Sequence, residues 1–359
     1  MNTKQTIDRK RILIAPLNWG LGHATRCIPI INTLIAHNFE PIIASDGSAL
    51  SLLRKEFRTL QTIELPSYEI EYPKKGKYFK LKLIKNTPKM IRAIKAEKKA
   101  VASIIKAYQI DGIISDNRLG VHNKKLPCVF ITHQLQVLSG NTTWLSTKLH
   151  QKIIKQFQEC WVPDNLGDLN LSGKLGHKHM HEMPLKYIGP LSRFTKEDKS
   201  IKYEVMVLLS GPEPQRTFLE TKLFEEFKTY NGGKVIFIKG VIEDTQHISE
   251  VGHITIYNFM TSEELNNAIN ESNLIVARSG YTTIMDLSKL SKKVFFIPTP
   301  GQFEQGYLAK RLTKLGYVPS CEQNDFTIEK LNEISKYKGL NEMNYEVNYK
   351  KLFSLFKSE

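Results

Sequence analysis

Leu274-Ile275-Val276-Ala277-Arg278-Ser279-Gly280-Tyr281-Thr282-Thr283, with Asp286 just beyond, is the stretch that decides the reading of this chain. The apolar run predicts a buried strand, Ser-Gly a sharp exit from it, and Ile284 to Leu290 a helix. A strand that turns through Ser-Gly into a helix leaves unpaired backbone N–H groups at the helix N-terminus, which is a ready cradle for phosphate. Asp286 lies about two helical turns from the strand end. A carboxylate there is placed to take a pair of ribose hydroxyls.

A related loop, Asn18-Trp19-Gly20-Leu21-Gly22-His23, opens the other half of the chain. It follows the apolar run Ile12 to Ala15 and precedes a helix predicted over Thr25 to Ala36. Gly20 and Gly22 permit close backbone approach, and Arg26, one turn on, can add a charge-assisted contact to a diphosphate. The loop departs from the G-x-G-x-x-G dinucleotide pattern at His23, Ala24 and Thr25, and Asp46 is the nearest acid to the end of the second strand. Both points disfavour a nicotinamide enzyme.

Working outward, strands are predicted at Pro41 to Ser45, Gln61 to Leu65, Gly112 to Asp116 and Cys128 to Ile131, with a helix at Ala49 to Glu56. The pattern restarts at Glu204 to Leu209, which runs into Ser210-Gly211-Pro212 and a helix over Thr217 to Phe227. It continues with strands at Lys234 to Ile238, Ile254 to Phe259, Leu274 to Ala277 and Val294 to Ile297. Strands alternating with helices give an α/β fold with parallel sheets. Two Rossmann-like doubly wound domains are expected, 1–188 and 189–344, joined near Tyr187 to Leu191, with 345–359 as a terminal helix. Two such domains facing each other make a cleft at the C-terminal ends of their strands.

At 359 residues and 41% hydrophobic content the chain has room for both. No apolar run approaches the roughly 20 residues that span a bilayer. Met1 to Arg11 lack the apolar core of a signal peptide, and Cys27, Cys128, Cys160 and Cys321 lack zinc-ligand spacing. The expectation is a cytoplasmic protein with reduced thiols and no metal site. His177-Lys178-His179-Met180-His181 has no acidic or cysteine partner and reads as a surface loop.

The net charge of +15 calls for an anionic partner. Between Lys74 and Lys106 fall twelve Lys or Arg residues and a single acid, Glu97. Ile91, Ile94, Val101, Ile105 and Tyr108 form a helical stripe among them. The segment 74–106 therefore reads either as an anionic membrane-surface element or as a lysine face over a core-facing stripe. Nucleic acid is disfavoured as a partner, because no zinc-finger, RNP-like or helix-turn-helix pattern occurs.

The segment Gly20-Leu21-Gly22-His23-Ala24-Thr25-Arg26 resembles the N-terminal loop of two-domain GT-B glycosyltransferases, in particular those related to the N-acetylglucosaminyltransferase that makes lipid II. Ile114-Ser115-Asp116 and Thr132-His133-Gln134 add to that likeness. The second half resembles the family 28 glycosyltransferase C-terminal domain at Leu209-Ser210-Gly211 through Arg216, Phe259-Met260, Arg278-Ser279-Gly280 through Asp286, and Pro300-Gly301-Gln302-Phe303-Glu304-Gln305. The resemblance implies a UDP-sugar bound as substrate by the C-terminal domain, with no cofactor and no essential metal, and a last helix, Tyr345 to Phe356, that crosses back to the first domain. Phe259 and Met260 would line the uracil pocket. Ser210, Gly211, Arg216, Arg278, Ser279, Gly280 and Thr283 would serve the diphosphate side, and Glu304 and Gln305 the sugar hydroxyls. The position of Asp286 usually holds a glutamate that grips the ribose; aspartate keeps the carboxylate with a shorter reach. Pro212 and Pro214 stand where relatives have a glycine-richer loop, and each removes an N–H donor.

Inverting glycosyl transfer needs a base for the acceptor hydroxyl and positive or dipolar groups for the leaving nucleotide. His23, Asp116 and His133 compete as the base and are ranked in that order, since histidine titrates near neutrality whereas an aspartate must be desolvated to serve. Gly20, Gly22, Arg26 and Gln134 fall on the acceptor or phosphate side. The acceptor expected is a lipid-phosphate or glycolipid, reached by a protein peripheral on the cytoplasmic face of the membrane through 74–106. The loops Leu135 to Trp144 and Tyr68 to Lys85 would shape its pocket. The rivals are a UDP-sugar hydrolase or 2-epimerase of the same fold, and a non-catalytic nucleotide-sugar-binding protein.

Overall fold

A computed structural model describes residues 9–68, 79–178, 180, 183–340 and 347–357, without the side chains of 79–87. The first sheet contains β1 (Arg11–Pro16), β2 (Glu40–Ser45), β3 (Thr62–Glu64), β4 (Gly112–Asp116), β5 (Cys128–Ile131), β6 (Glu159–Val162) and β7 (Leu185–Tyr187). Its spatial order is β3-β2-β1-β4-β5-β6-β7, parallel throughout. β4 and β5 are buried along their whole length, as expected of continuous apolar runs covered by helices on both faces.

The second sheet holds β8 (Tyr203–Leu208), β9 (Val235–Ile238), β10 (Ile248–Val251), β11 (Ile254–Tyr257), β12 (Ser272–Ala277) and β13 (Lys293–Phe296). Its order is β10-β11-β9-β8-β12-β13, with only β10 antiparallel to its neighbour. The helices are α1 (Gly22–Ala36), α2 (Gly47–Glu56), α3 (Phe79–Tyr108), α4 (Thr143–Ile154), α5 (Gln215–Lys228), α6 (Ser262–Asn270), α7 (Tyr281–Lys289), α8 (Phe303–Lys314) and the single-turn α9 (Tyr349–Leu352). The result is an α/β molecule of two doubly wound parallel-sheet units. The chain leaves the first sheet at Tyr187 and enters the second at Tyr203.

Strand order reverses at β1/β4 in the first sheet and at β8/β12 in the second. Those are the crevices where open α/β sheets bind ligands. The glycine loop and Asp116 lie at the first reversal. Ser210-Gly211 and Arg278-Ser279-Gly280 lie at the second. α1 starts at Gly22 instead of Thr25, which puts His23 and Arg26 in its first two turns. α7 starts directly after Gly280, earlier than the apolar pattern from Ile284 indicates.

The C-terminus returns to the first unit. A 3-10 turn at Phe353–Phe356 follows α9 and sets Phe353 5.7 Å and Phe356 6.4 Å, ring to ring, from Phe39. Both rings also approach Trp161. Instead of a helix over Tyr345 to Phe356, two short turns carry the rings, and 345–346 lie outside the described residues.

Helix α3 corrects the expected stripe. Ala93, Glu97, Val101 and Ile104 turn inward, while Ile91 is 49% exposed and Ile94, Ile105 and Tyr108 are half-buried. The lone acid of the basic segment is thus a core residue. Glu97 accepts from Arg118 Nε at 2.5 Å, Tyr68 Oη at 2.5 Å and Gly120 N at 3.0 Å. Residues 74–78 of that segment, and 69–78 of the expected acceptor loop, lie outside the described residues.

Candidate active site

Asp116 is the last residue of β4, wholly buried, and two side chains from α1 converge on it. His23 Nδ1 lies 2.8 Å from its Oδ1. Arg26 donates from Nε to Oδ2 at 2.5 Å and makes a second bond to Oδ1. Burial by itself would raise the carboxyl, but the Arg26 charge and the His23 ring outweigh it and hold Asp116 at about 2. A carboxylate at this distance calls for a donor, so Nδ1 of His23 carries the hydrogen and Nε2 keeps its lone pair. Burial lowers the His23 pKa, with the Asp116 charge opposing and Arg26 assisting, so the ring is neutral at physiological pH.

The constellation extends across the cleft. Arg26 Nη1 donates to His133 Nδ1 at 3.1 Å, which leaves His133 Nε2 to donate to Glu304 Oε1 at 2.8 Å. Gln134 Nε2 donates to the other oxygen of Glu304. Burial pushes Glu304 up, but the neighbouring His133 more than offsets it and the pKa is lowered. The His133 ring stacks on Tyr281 with centroids 4.1 Å apart, and Tyr281 Oη donates to Pro163 O at 2.8 Å. Thr282 Oγ1 donates to Gly22 O at 3.1 Å. The N-termini of α1 and α7 therefore meet across the cleft, and each brings a partial positive charge to the same place.

On the second unit, Gly280 caps α7 and Thr283 lies in its first turn. Gly211 has φ of +101°, a conformation that favours glycine, and the one atom near a side chain placed there is Thr299 Oγ1 at 3.9 Å. Thr299 is 3% exposed and its hydroxyl has no partner among the described residues. An orphaned buried hydroxyl beside an open glycine bend and a helix N-terminus suits a phosphate oxygen. Ser279 Oγ donates to Gln305 O at 2.9 Å, and Gln305 Oε1 accepts from Thr299 N at 2.8 Å. Asp286 accepts from Ser192 Oγ at 2.7 Å; burial raises it to about 6 against the opposing charge of Arg193. Phe259 and Met260 are buried, and Lys55 of α2 sits 5.1 Å from the centre of the Phe259 ring.

Three arginines of the expected phosphate side are held by protein groups in the structure. Arg26 is 2% exposed and wholly engaged by Asp116 and His133. Arg278 is fully buried, donating to the carbonyls of Ile297, Pro298 and Gln215 and to Gln323 Oε1. Arg216 pairs with Glu213 at 2.7 Å and Glu220 at 2.6 Å. A buried guanidinium must be paired and hydrogen-bonded, and neighbouring carboxylates or carbonyls supply that more cheaply than an absent ligand. His177 likewise pairs with buried Asp164 at 3.2 Å instead of lying open in a loop, while His179 and His181 fall outside the described residues.

Sequence reasoning missed Thr299, an ordinary residue in Pro-Thr-Pro that only the fold brings to Gly211. It also missed Arg118. Arg118 joins Glu97 to Asp46 at 2.7 Å, and Asp46 in turn accepts from Asn18 of the glycine loop at 3.2 Å.

Two Rossmann-like units with glycine loops opposed across a cleft and a chain end that crosses back define the GT-B class of glycosyltransferase fold. More particularly, residues 219–355 match the model described as the glycosyltransferase family 28 C-terminal domain. The chain is 22% identical over 244 residues to the UDP-N-acetylglucosamine--N-acetylmuramyl-(pentapeptide) pyrophosphoryl-undecaprenol N-acetylglucosamine transferase of Haemophilus ducreyi, covering 65% of each chain. It thus spans just under two thirds of that relative's length. An uncharacterized glycosyltransferase of Methanosarcina acetivorans is 25% identical over 325 residues, 86% of this chain and 84% of that one. Among solved structures, the kitacinnamycin glycotransferase shares the fold with a TM-score of 0.63 and 12% identity, over 91% of this chain and 89% of that chain.

Proposed function

We propose that this chain is an inverting glycosyltransferase that moves a sugar from a UDP-sugar of the UDP-N-acetylglucosamine kind to a lipid-phosphate or glycolipid acceptor, working peripherally on the cytoplasmic face of the membrane. The observation that carries the reading is the His23–Asp116 dyad set against the N-terminus of α7 across the cleft. The Haemophilus ducreyi relative, named for a UDP-N-acetylglucosamine donor and a pyrophosphoryl-undecaprenol acceptor, supports the two substrate classes.

In this mechanism the acceptor oxygen attacks the anomeric carbon from the face opposite the diphosphate. Its proton passes to Nε2 of His23. The bond between the anomeric carbon and the phosphate oxygen breaks, and its electron pair leaves with UDP. Asp116, held ionised, orients the ring and stabilises the imidazolium; Arg26 and His133 fix Asp116 and the loop around it. The charge that develops on the leaving diphosphate meets the amides of Ser279 to Thr283, the bend at Ser210-Gly211 and the Thr299 hydroxyl. These fixed dipoles do the work that a metal ion does in other sites.

The remaining roles follow position. Phe259 and Met260 line the uracil, and Asp286 exchanges the Ser192 hydroxyl for the ribose. Glu304 exchanges His133 and Gln134 for sugar hydroxyls beside Gln305. Gly20 and Gly22 give the acceptor close access to the first sheet. Arg278 contributes by fixing the backbone on which Ser279 and Gly280 stand, and Arg216 by exchanging one carboxylate partner for phosphate.

Calorimetric titration with UDP and then UDP-N-acetylglucosamine tests the reading. Micromolar binding that is lost in Asp286→Ala is expected, with His23→Ala binding UDP normally but failing to turn over on lipid-phosphate acceptors. If no uridine nucleotide binds, the donor assignment fails. Release of UDP at the same rate with and without acceptor would make the protein a hydrolase.

A further inference from the structure

Helix α2 ends on two charged residues, Lys55 and Glu56, and both reach out of the first unit into the second. A basic residue in the last turn of a helix is ordinary, because it suits the carbonyl end of the helix dipole. What these two side chains touch is less ordinary. Glu56 Oε1 accepts from Ser262 N at 2.8 Å and from Ser262 Oγ at 2.6 Å, so a carboxylate of the first unit sits on the first residue of α6. That helix already carries a capping box of its own, with Glu264 accepting from Thr261 N at 2.8 Å. Lys55 Nζ donates to Asp244 O at 2.9 Å and stands 5.1 Å from the centre of the Phe259 ring.

These contacts fall on the segments to which the proposed function gives the nucleotide base. Asp244 belongs to the loop between β9 and β10, and Phe259 and Met260 lie between β11 and α6. The second unit engages its own polar groups there. Phe259 N donates to Asn258 Oδ1 at 3.0 Å, and Phe259 O accepts from Gln246 Nε2 at 3.0 Å. Lys55 is placed differently. An ammonium offers three donors and no acceptor, and here one of them meets a neutral carbonyl. Among the described residues no carboxylate pairs with it, although the side chain is half-buried. Its charge rests on the face of an aromatic ring, and its other hydrogens stand beside the ring that lines the base.

We propose that Lys55 is a base-reading residue contributed by the first unit. Its ammonium leaves Asp244 O for a ring carbonyl of the bound uracil, while Glu56 on Ser262 holds the end of α2 in place. The inference rests on the uridine-donor reading and names the group that selects the base within it. Uracil presents a carbonyl at the ring position where cytosine presents an amine. An ammonium donates to that carbonyl, but it has no acceptor to offer the amine. Lys55 therefore selects uracil against cytosine. Coming from the opposite unit, it does so only while the cleft is closed. The structure shows that arrangement: Thr282 Oγ1 donates to Gly22 O at 3.1 Å, and Lys174 N to Tyr307 Oη at 3.0 Å. One closure thus brings α1 to α7 and Lys55 to the base.

Calorimetric titration of the full chain with UDP and with CDP tests the assignment. A hydrogen bond from a charged donor is worth roughly ten- to a hundredfold in affinity, so the parent should prefer UDP by about tenfold or more. Lys55→Met keeps the apolar stem and removes the donors. It should bind UDP about tenfold or more weakly and CDP within about threefold of the parent, with the melting temperature unchanged. Lys55→Gln has an amide that can donate to uracil or accept from cytosine, and should bring the two nucleotides within about threefold of each other. Equal losses of UDP and CDP affinity in Lys55→Met would mark a purely structural contact and overturn the proposal. If the parent binds no uridine nucleotide, the donor reading fails and takes this inference with it. If the parent and Lys55→Met bind UDP equally well, this inference alone is lost.

Discussion

His23 Nδ1 lies 2.8 Å from Asp116 Oδ1, so the glycine loop's histidine is oriented by the last residue of β4 and keeps Nε2 for another partner. Two consequences separate the partners. His23→Ala removes the proposed base and should lower turnover by about 10² to 10⁴-fold, with UDP affinity within about twofold of the parent. Asp116→Asn keeps a similar shape but takes away the charge that stabilises the imidazolium and pairs Arg26, so it should lower both turnover and melting temperature. Steady-state kinetics with thermal denaturation on both variants decides: a His23→Ala enzyme at full rate would remove the histidine from the chemistry.

The same pair sets an acid limit on stability. Asp116 is held at about 2 against an ordinary 3.8. A lowered folded-state value means that its stabilisation is complete above the unfolded value and is lost as pH falls through the folded one. The difference is worth about 2 kcal/mol at neutral pH. Urea titrations should show that increment disappearing between about pH 4 and pH 2 in the parent and absent from Asp116→Asn. A flat profile for the parent would mean the Arg26 pair is not formed in solution.

Asp286 behaves in the opposite sense. Burial raises it to about 6 from 3.8, so its contribution favours the fold below the unfolded value and is lost as pH rises through 6. At pH 8 the buried carboxylate costs about 3 kcal/mol, a cost characteristic of a binding group kept ready for a ligand. Asp286→Asn should therefore be more stable than the parent at pH 8 and match it near pH 4, while UDP affinity falls. Equal stability at both pH values would show that Arg193 and Ser192 neutralise the burial cost in full.

What the sequence disclosed and what it hid have a physical pattern. Strands built on short apolar runs, such as Gly112 to Asp116 and Cys128 to Ile131, match the structure residue for residue, because burial on both faces leaves little room for another pattern. β6 escaped because Glu159 opens it, its carboxylate neutralised only in three dimensions by Trp161 Nε1 at 2.8 Å and Lys186 Nζ at 2.5 Å. β10 escaped because an exposed antiparallel edge strand needs no apolar run. At the site, the glycine loops and histidines announced themselves by type and spacing. The commitment of Arg26, Arg216 and Arg278 to protein partners did not, because an arginine reads alike in sequence whether it awaits a phosphate or already holds a carbonyl. Glu97 was visible only as an oddity among lysines; its meaning lies in Arg118, 21 residues away.

That buried pair supplies a further expectation. Arg118 is fully buried between Glu97 and Asp46, and also donates to Pro66 O at 2.6 Å. Arg118→Leu would strand two carboxylates and should cost roughly 3–5 kcal/mol, read as a lower urea midpoint at unchanged slope. Since Asp46 also holds Asn18 of the glycine loop, turnover should fall beyond what lost stability explains when measured well below the unfolding transition. Retention of full activity there would confine the network to a structural role.

Gly22 and Gly20 lie two residues apart in one loop and should fail for different reasons. A side chain at Gly20 meets nothing within 4 Å, but the backbone there has φ of +74°, so Gly20→Ala costs about 1–2 kcal/mol of strain and acts on stability. A methyl group at Gly22 would stand 3.0 Å from Thr282 Oγ1 and 3.4 Å from its Cβ, on the helix that opposes it across the cleft. Gly22→Ala should therefore push α1 and α7 apart and lower turnover by about tenfold or more, with a smaller loss of stability. Repeating Gly22→Ala in a Thr282→Ala background removes the obstructing hydroxyl and, with it, the bond to Gly22 O. If close approach of the two helices is what the reaction needs, the second Gly22→Ala should cost less than half of the first in activation free energy, a coupling that a double-mutant cycle reads directly. Equal costs in both backgrounds would place the effect within the loop and acquit the contact across the cleft.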